Sequence, residues 1–154
     1  MNFPIDFEPD LSAEDEKTIY EGLLAHNVED IGLPLEEIRT KRFAFVFRQD
    51  GQIKAGLVGA IKYRSAFVET LWVDKSLRAQ GLGRALLKKA KDYAVQNRCT
   101  VIFLNTLTPA NVGFYEKSGY VFEFERPGYV AQHAMRYFRK EIYQQHYDAI
   151  NKLI

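Results

Sequence analysis

Leu71-Trp-Val-Asp-Lys-Ser-Leu-Arg78-Ala-Gln-Gly81-Leu-Gly83-Arg84-Ala-Leu-Leu87 is the stretch on which the fold turns. An apolar strand enters a basic turn with two glycines and passes directly into an amphipathic helix. Such a junction aims free backbone N–H groups and a positive helix end at one point, the arrangement a phosphate or pyrophosphate requires. The stretch therefore predicts a phosphorylated ligand. Two familiar phosphate templates fail here. A P-loop needs Gly-Lys-Ser/Thr, whereas Gly83 is followed by Arg84 and Ala85. A dinucleotide fingerprint needs a small residue where Leu86 stands and an acid on the next strand, and Thr100–Leu104 carries none.

Working outward, the chain before the turn reads as helix and then strands. Ser12 offers an N-cap, and Ala13 to about Asn27 carries Ile19, Leu23 and Leu24 at helical spacing. Val28–Thr40, with Gly32 and Pro34, reads as a short helix or loop. Arg42–Phe47, the Asp50-Gly51 turn and Lys54–Tyr63 make a hairpin, and Arg64-Ser65 turns into a third strand, Ala66–Val73. After the turn, Gly81–Gln96 places Leu82, Leu86, Leu87, Ala90, Tyr93 and Ala94 on one helical face. Arg98–Leu104 is a strand without polar alternation, as expected where both faces are buried, and should run parallel to the third. A short helix, Asn111–Ser118, closed by Gly119, and two strands, Tyr120–Glu125 and Met135–Lys140, follow. This order predicts an α/β fold: a mixed, mostly antiparallel central sheet with helices on both faces.

The turn also fills the pattern Arg/Gln-x-x-Gly-x-Gly/Ala with Arg78, Gly81 and Gly83. In this it resembles the acyl-CoA pyrophosphate loop of the GNAT N-acetyltransferase superfamily. Gly113-Phe-Tyr115-Glu-Lys-Ser-Gly119-Tyr and His133-Ala-Met-Arg136-Tyr-Phe138 are similar to later motifs of a bacterial single-domain subgroup. The resemblance runs from about Leu11 to Ile142. It implies acetyl-CoA as co-substrate, no metal, and transfer of an acetyl group to a primary amine by direct attack on the thioester. A non-catalytic acyl-CoA-binding module of the same fold is the alternative.

Acetyl transfer needs the thioester held, its carbonyl polarised, the amine neutral and the thiolate protonated. Backbone N–H groups between Ala79 and Arg84, through Gln80, Gly81, Leu82 and Gly83, are expected around the diphosphate, with Arg78 and Arg84 supplying charge. Gly81 and Gly83 are read as allowing close approach. Main-chain donors at the end of the third strand, Leu71, Trp72 and Val73, are expected to face the carbonyl where, as the resemblance implies, that strand splays from its parallel neighbour. Glu69 is the candidate base, the only charge in its strand; alternation would set it on one face with Leu71 and Val73. A structural ion pair is the competing reading. Tyr115 matches the family's helix tyrosine and is the candidate general acid. Asn111, one turn earlier, is a candidate for the pantetheine amides, although Thr108 stands where the family's commonest asparagine would be. Lys88 and His133 carry weaker expectations of phosphate and acceptor contact.

Composition narrows the rest. Lys+Arg number 21 against Asp+Glu 20, a formal charge of +1, so nothing global attracts nucleic acid or an anionic membrane. The acceptor is expected to be a small amine or a peptide amine. The acidic N-terminus has no signal-peptide pattern, which predicts a cytoplasmic protein. The single cysteine, Cys99, reads as a buried, inert thiol. Residues 1–141 are expected to form the acetyltransferase domain and 142–154 an appended amphipathic helix. Its stripe of Tyr143, Tyr147, Ile150 and Ile154 must cover its own domain or, the favoured reading, a second copy in a homodimer.

Overall fold

A computed structural model describes residues 3–142. The chain divides into two compact units, one up to Arg39 and one from Thr40. In the first, α1 (Ala13–Ile31) is capped by Ser12, whose Oγ accepts from the Asp15 N–H at 3.1 Å. Glu14, Asp15 and Glu16 complement the positive end. The helix runs four residues past the expected Asn27, until Gly32 takes the left-handed conformation and its N–H closes on Val28 O at 3.0 Å. A single-turn α2 (Leu35–Ile38) follows Pro34.

The second unit holds a six-stranded sheet in the order β1-β2-β3-β4-β6-β5. β1 (Lys41–Gln49) and β2 (Gln52–Lys62) join through Asp50 and Gly51, both at positive φ, as a tight hairpin turn demands. β3 (Ser65–Val73) pairs antiparallel with β2 and parallel with β4 (Val101–Thr106). The connection is α3 (Leu82–Gln96); after β4 comes α4 (Val112–Lys117). One core joins α3 and α4 to the same sheet face: Leu86, Leu87, Ala90 and Ala94 meet Leu57, Val68, Ile102, Leu104, Tyr115 and Phe138. The sheet is therefore mixed and mostly antiparallel, as the order of elements requires.

Two expectations change at the end of the chain. β5 (Val121–Val130) and β6 (His133–Glu141) are one long hairpin, so Pro127 and Gly128 lie within a strand and not in an open loop. Pro127 is tolerated because β5 is the sheet edge and the pairing bulges between Arg126 and Val130. His133 thereby opens β6 beside the hairpin tip. The amphipathic stripe from Tyr143 onward lies outside the described residues. Among the described residues, no helix is long and apolar enough to cross a membrane.

Candidate active site

β3 and β4 stay paired only from Ser65↔Val101 to Val68↔Leu104. Beyond that point β4 continues against β6, while β3, among the described residues, remains bonded to β2 alone. The parallel neighbours have parted, and residues 70–73 of β3 face a gap with one edge unpaired. Which N–H groups point there follows from alternation. Asp74 N–H donates to Lys54 O on β2 at 2.8 Å, so Trp72 also turns its N–H to β2 and Leu71 and Val73 turn theirs to the gap. Trp72, expected to be a main-chain donor, turns that N–H away from the gap.

From Val73 the chain bends through a 3₁₀ turn, Lys75–Leu77, capped by Asp74, whose carboxylate takes the Ser76 N–H at 2.9 Å and its hydroxyl at 2.6 Å. Those bonds hold the Asp74 carboxyl below its ordinary pKa. Arg78 Nε donates to Val73 O at 3.1 Å, which ties the guanidinium back to the strand end. Ala79 and Gly81 then both adopt positive φ, 62° and 84°. Two left-handed residues in three turn main-chain N–H groups inward, the geometry of an anion nest. α3 begins at Leu82 with no side-chain cap and no acid in its first turn, unlike α1. Its first N–H groups are free for an anion, with Arg84 beside them.

Between this turn, the β3 edge and α4 lies a cleft of 680 Å³, within the range of sites that enclose small molecules and cofactors. Leu71, Trp72, Val73, Arg78, Ala79, Gly81, Leu82, Gly83, Arg84, Asn111 and Tyr115 line it, so eleven of the expected residues converge. Leu77 and Phe114 join them unforeseen, together with Thr108. The two glycines have different duties. Around Gly81 nothing lies within 4 Å of a would-be Cβ, leaving the turn open to a ligand. A Cβ on Gly83 would stand 3.1 Å from the Phe114 ring, so this glycine lets the start of α3 pack closely against α4. That small-residue-to-aromatic contact was the signal that could have identified Phe114.

Tyr115 sits on α4 with 7% of its surface exposed and lines the cleft. Its ring contacts Phe114, Tyr120 and Phe138, and burial raises the phenol above its ordinary pKa. Asn111 Nδ2 reaches the buried Thr106 Oγ1 at 3.4 Å, and the Thr108 N–H reaches the same oxygen at 3.1 Å. One buried hydroxyl thus fixes the loop that carries both residues into the cleft.

Glu69 departs from expectation. Val68 pairs with Gly59 and Thr70 with Val58, so Glu69 is the extra residue of a β-bulge. A bulge sends two successive side chains to one face. Val68 and Leu71 belong to the core, whereas Glu69 and Thr70 between them are exposed. Glu69 therefore does not share a face with Leu71 and Val73, nor does it line the cleft. Its carboxylate forms a two-pronged ion pair with Arg42, at 2.6 and 3.3 Å, with 30% of the side chain still exposed. Arg42 was not foreseen, because only the β1–β2–β3 register brings it there. Three further expectations are redirected. Gln80 bonds Ser76 O at 3.2 Å and faces a second groove rather than the cleft. Lys88 is held by Asp92 at 2.7 Å on the outer surface of α3, and His133 is exposed at the start of β6.

The model of the acetyltransferase (GNAT) family matches residues 8–120. An acetyltransferase of Agrobacterium fabrum is 29% identical over 120 residues, spanning 78% of this chain and 84% of its own. A blasticidin-S acetyltransferase of Streptomyces morookaense is 31% identical over 97 residues, 62% of this chain and 68% of its own. Among solved structures, one from Agrobacterium tumefaciens, assigned as an acetyltransferase, superposes with TM-score 0.76 at 25% identity, covering 92% and 99% of the two chains. Another, from Bacillus anthracis, assigned as a streptothricin acetyltransferase, holds acetyl coenzyme A; it aligns with TM-score 0.59 and 25% identity over 65% of this chain and 62% of its own.

Proposed function

This chain belongs to the acetyltransferase (GNAT) family, and on that premise we propose that it transfers the acetyl group of acetyl-CoA to a primary amine by direct attack on the thioester. That it is an acetyl-CoA-dependent acetyltransferase follows from the family and the named relatives. The direct route, the residues below and the acceptor are our reading. The observation that carries it is the coincidence, in one cleft, of an unpaired strand edge, an uncapped helix start and a buried tyrosine.

Acetyl-CoA supplies the activated acyl group; the chain's own groups do the rest. Main-chain N–H groups from Ala79 to Arg84, with Arg78 and Arg84, hold the diphosphate. The N–H groups of Leu71 and Val73 face the position where carbonyl charge develops, and fixed donors are most effective there. Tyr115 keeps its proton on Oη throughout the neutral range, since burial disfavours the phenolate. A raised phenol pKa makes complete transfer to a thiolate of about 8.5 unfavourable, so Tyr115 acts chiefly by donating a hydrogen bond to the developing charge. Glu69 stands one residue beyond the last β3–β4 pair, outside the cleft lining and paired with Arg42, and on our reading it accepts the amine's proton through water. No cysteine, serine or histidine lines the cleft. Cys99 is buried elsewhere with its thiol pushed up to about 11, and the cleft hydroxyls of Thr108 and Tyr115 have no adjacent histidine among the described residues to activate them, which supports the direct route.

Tyr115→Phe tests this reading. Turnover should fall about a hundredfold, as for loss of one well-placed donor, while calorimetric affinity for acetyl-CoA stays within about twofold. Equal turnover in the two proteins would remove Tyr115 from the chemistry. Glu69→Gln should lower kcat/KM about a hundredfold, whereas Arg42→Gln, which breaks the ion pair but keeps the carboxylate, should cost less than about tenfold. Because two relatives carry antibiotic names, a screen of amine acceptors for coenzyme release should begin with amino-bearing antibiotics and extend to polyamines and peptide N-termini.

A further inference from the structure

Lys140 lies on β6 two residues beyond Phe138, on the strand face that is turned towards α4. Its Nζ donates to Ser118 O at 2.6 Å, at the carbonyl that ends α4, and stands 5.5 Å from the centre of the Tyr120 ring. The fit is close, since a Cβ on Gly119 would lie 2.9 Å from the ammonium. Desolvation first, and then the Lys91 charge, hold the Lys140 pKa below its ordinary value. The charge is thus drawn partly out of water and given to one backbone carbonyl.

α4 needs such an anchor. Its six residues, Val112–Lys117, are too few to hold a helix alone, because isolated helices shorter than about 12 residues are marginal in water. Contacts along its length set it on the sheet instead. Thr106 Oγ1 fixes the loop before it, and Phe138 meets the Tyr115 ring at 5.7 Å between centroids. Lys140 takes the far end. A charged donor makes a stronger hydrogen bond than a neutral one, and a cation suits the negative end of a helix. The turn after the helix carries that hold back to Tyr115: the N–H groups of Ser118 and Tyr120 both donate to Tyr115 O, each at 3.0 Å. We propose that Lys140 is a positioning residue for the reaction, which by holding Ser118 O sets where the Tyr115 hydroxyl stands in the cleft. The inference rests on the reading of Tyr115 as hydrogen-bond donor to the thiolate. Such a donor acts within about 3 Å, and a displacement of about 1 Å removes most of its effect.

Steady-state kinetics on the full chain test this with wild type, Lys140→Met, Tyr115→Phe and the double variant. Lys140→Met keeps the apolar stem and removes the charge. Lys140 and Ser118 are only half-buried, so water can reach the freed carbonyl and the variant should fold, which circular dichroism checks. Lys140→Gln carries the same test should the methionine variant not fold. Lys140→Met should lower kcat about tenfold, with KM for acetyl-CoA within about twofold. In the Tyr115→Phe background the same substitution should change kcat by less than about twofold, because no hydroxyl remains to be aimed. An unchanged kcat in Lys140→Met, or an equal fall in the Tyr115→Phe background, overturns the role of Lys140 and leaves the reading of Tyr115 standing. Wild-type turnover in Tyr115→Phe overturns both.

Discussion

Tyr120 is buried to 3% exposure, and its hydroxyl has no hydrogen-bond partner among the described residues. An unsatisfied buried hydroxyl costs about 1–3 kcal/mol, so Tyr120→Phe should raise the urea midpoint, by about 1 kcal/mol of stability; a lower midpoint would mean that the hydroxyl is satisfied. Burial, with Tyr115 nearby, also pushes the Tyr120 phenol far above its ordinary pKa, and burial raises Tyr115 as well. Both phenols would ionise first in the unfolded chain. Their contribution to stability is therefore complete below about pH 10, the unfolded value, and is lost as pH rises towards the folded ones. Urea midpoints should be level from pH 7 to 9 and fall above 10, less steeply in Tyr120→Phe. Cys99 carries the same logic into reactivity. A buried thiol held up to about 11 offers almost no thiolate at pH 8, so a disulfide reagent should label it only after denaturant is added.

At the scale of elements, the bulge in β3 controls the site. It changes which side chains face the core, so Val68 and then Leu71 point inward while Glu69 turns out to meet Arg42. Gly59 sits opposite this irregularity, and a Cβ there would lie 2.6 Å from Phe67 O and 2.5 Å from the Phe43 ring. Backbone cannot yield as a flexible side chain can. Gly59→Ala should therefore destabilise the sheet by about 2–3 kcal/mol, measured by thermal or urea unfolding; a loss below about 0.5 kcal/mol would show that the strands separate readily. The hairpin β5–β6 makes the complementary point. Pro127 reads as a breaker in isolation, and only the edge position of β5 lets it remain in a strand.

For the molecule as a whole, the appended segment 142–154 remains a proposal about assembly. If its apolar stripe joins two copies, the full chain should sediment as a dimer and a chain ending at Glu141 as a monomer; identical masses would remove that role. The glycine turn, the order of strands and helices, and the capped ends were legible in the residues, because each depends on local conformation: positive φ, capping, or the period of apolar side chains. From these, with the motif around Tyr115, most residues that line the cleft could be named. What the residues alone left open were relations between strands distant in sequence. The Arg42–Glu69 pair, the outward turn of Glu69 and the place of Gln80 all depend on register and on where β3 leaves β4. Register is set by the packing of a shared core, and a single extra residue in one strand reverses the faces of everything beyond it. Local preference chose the elements, whereas their mutual packing chose which side chains meet.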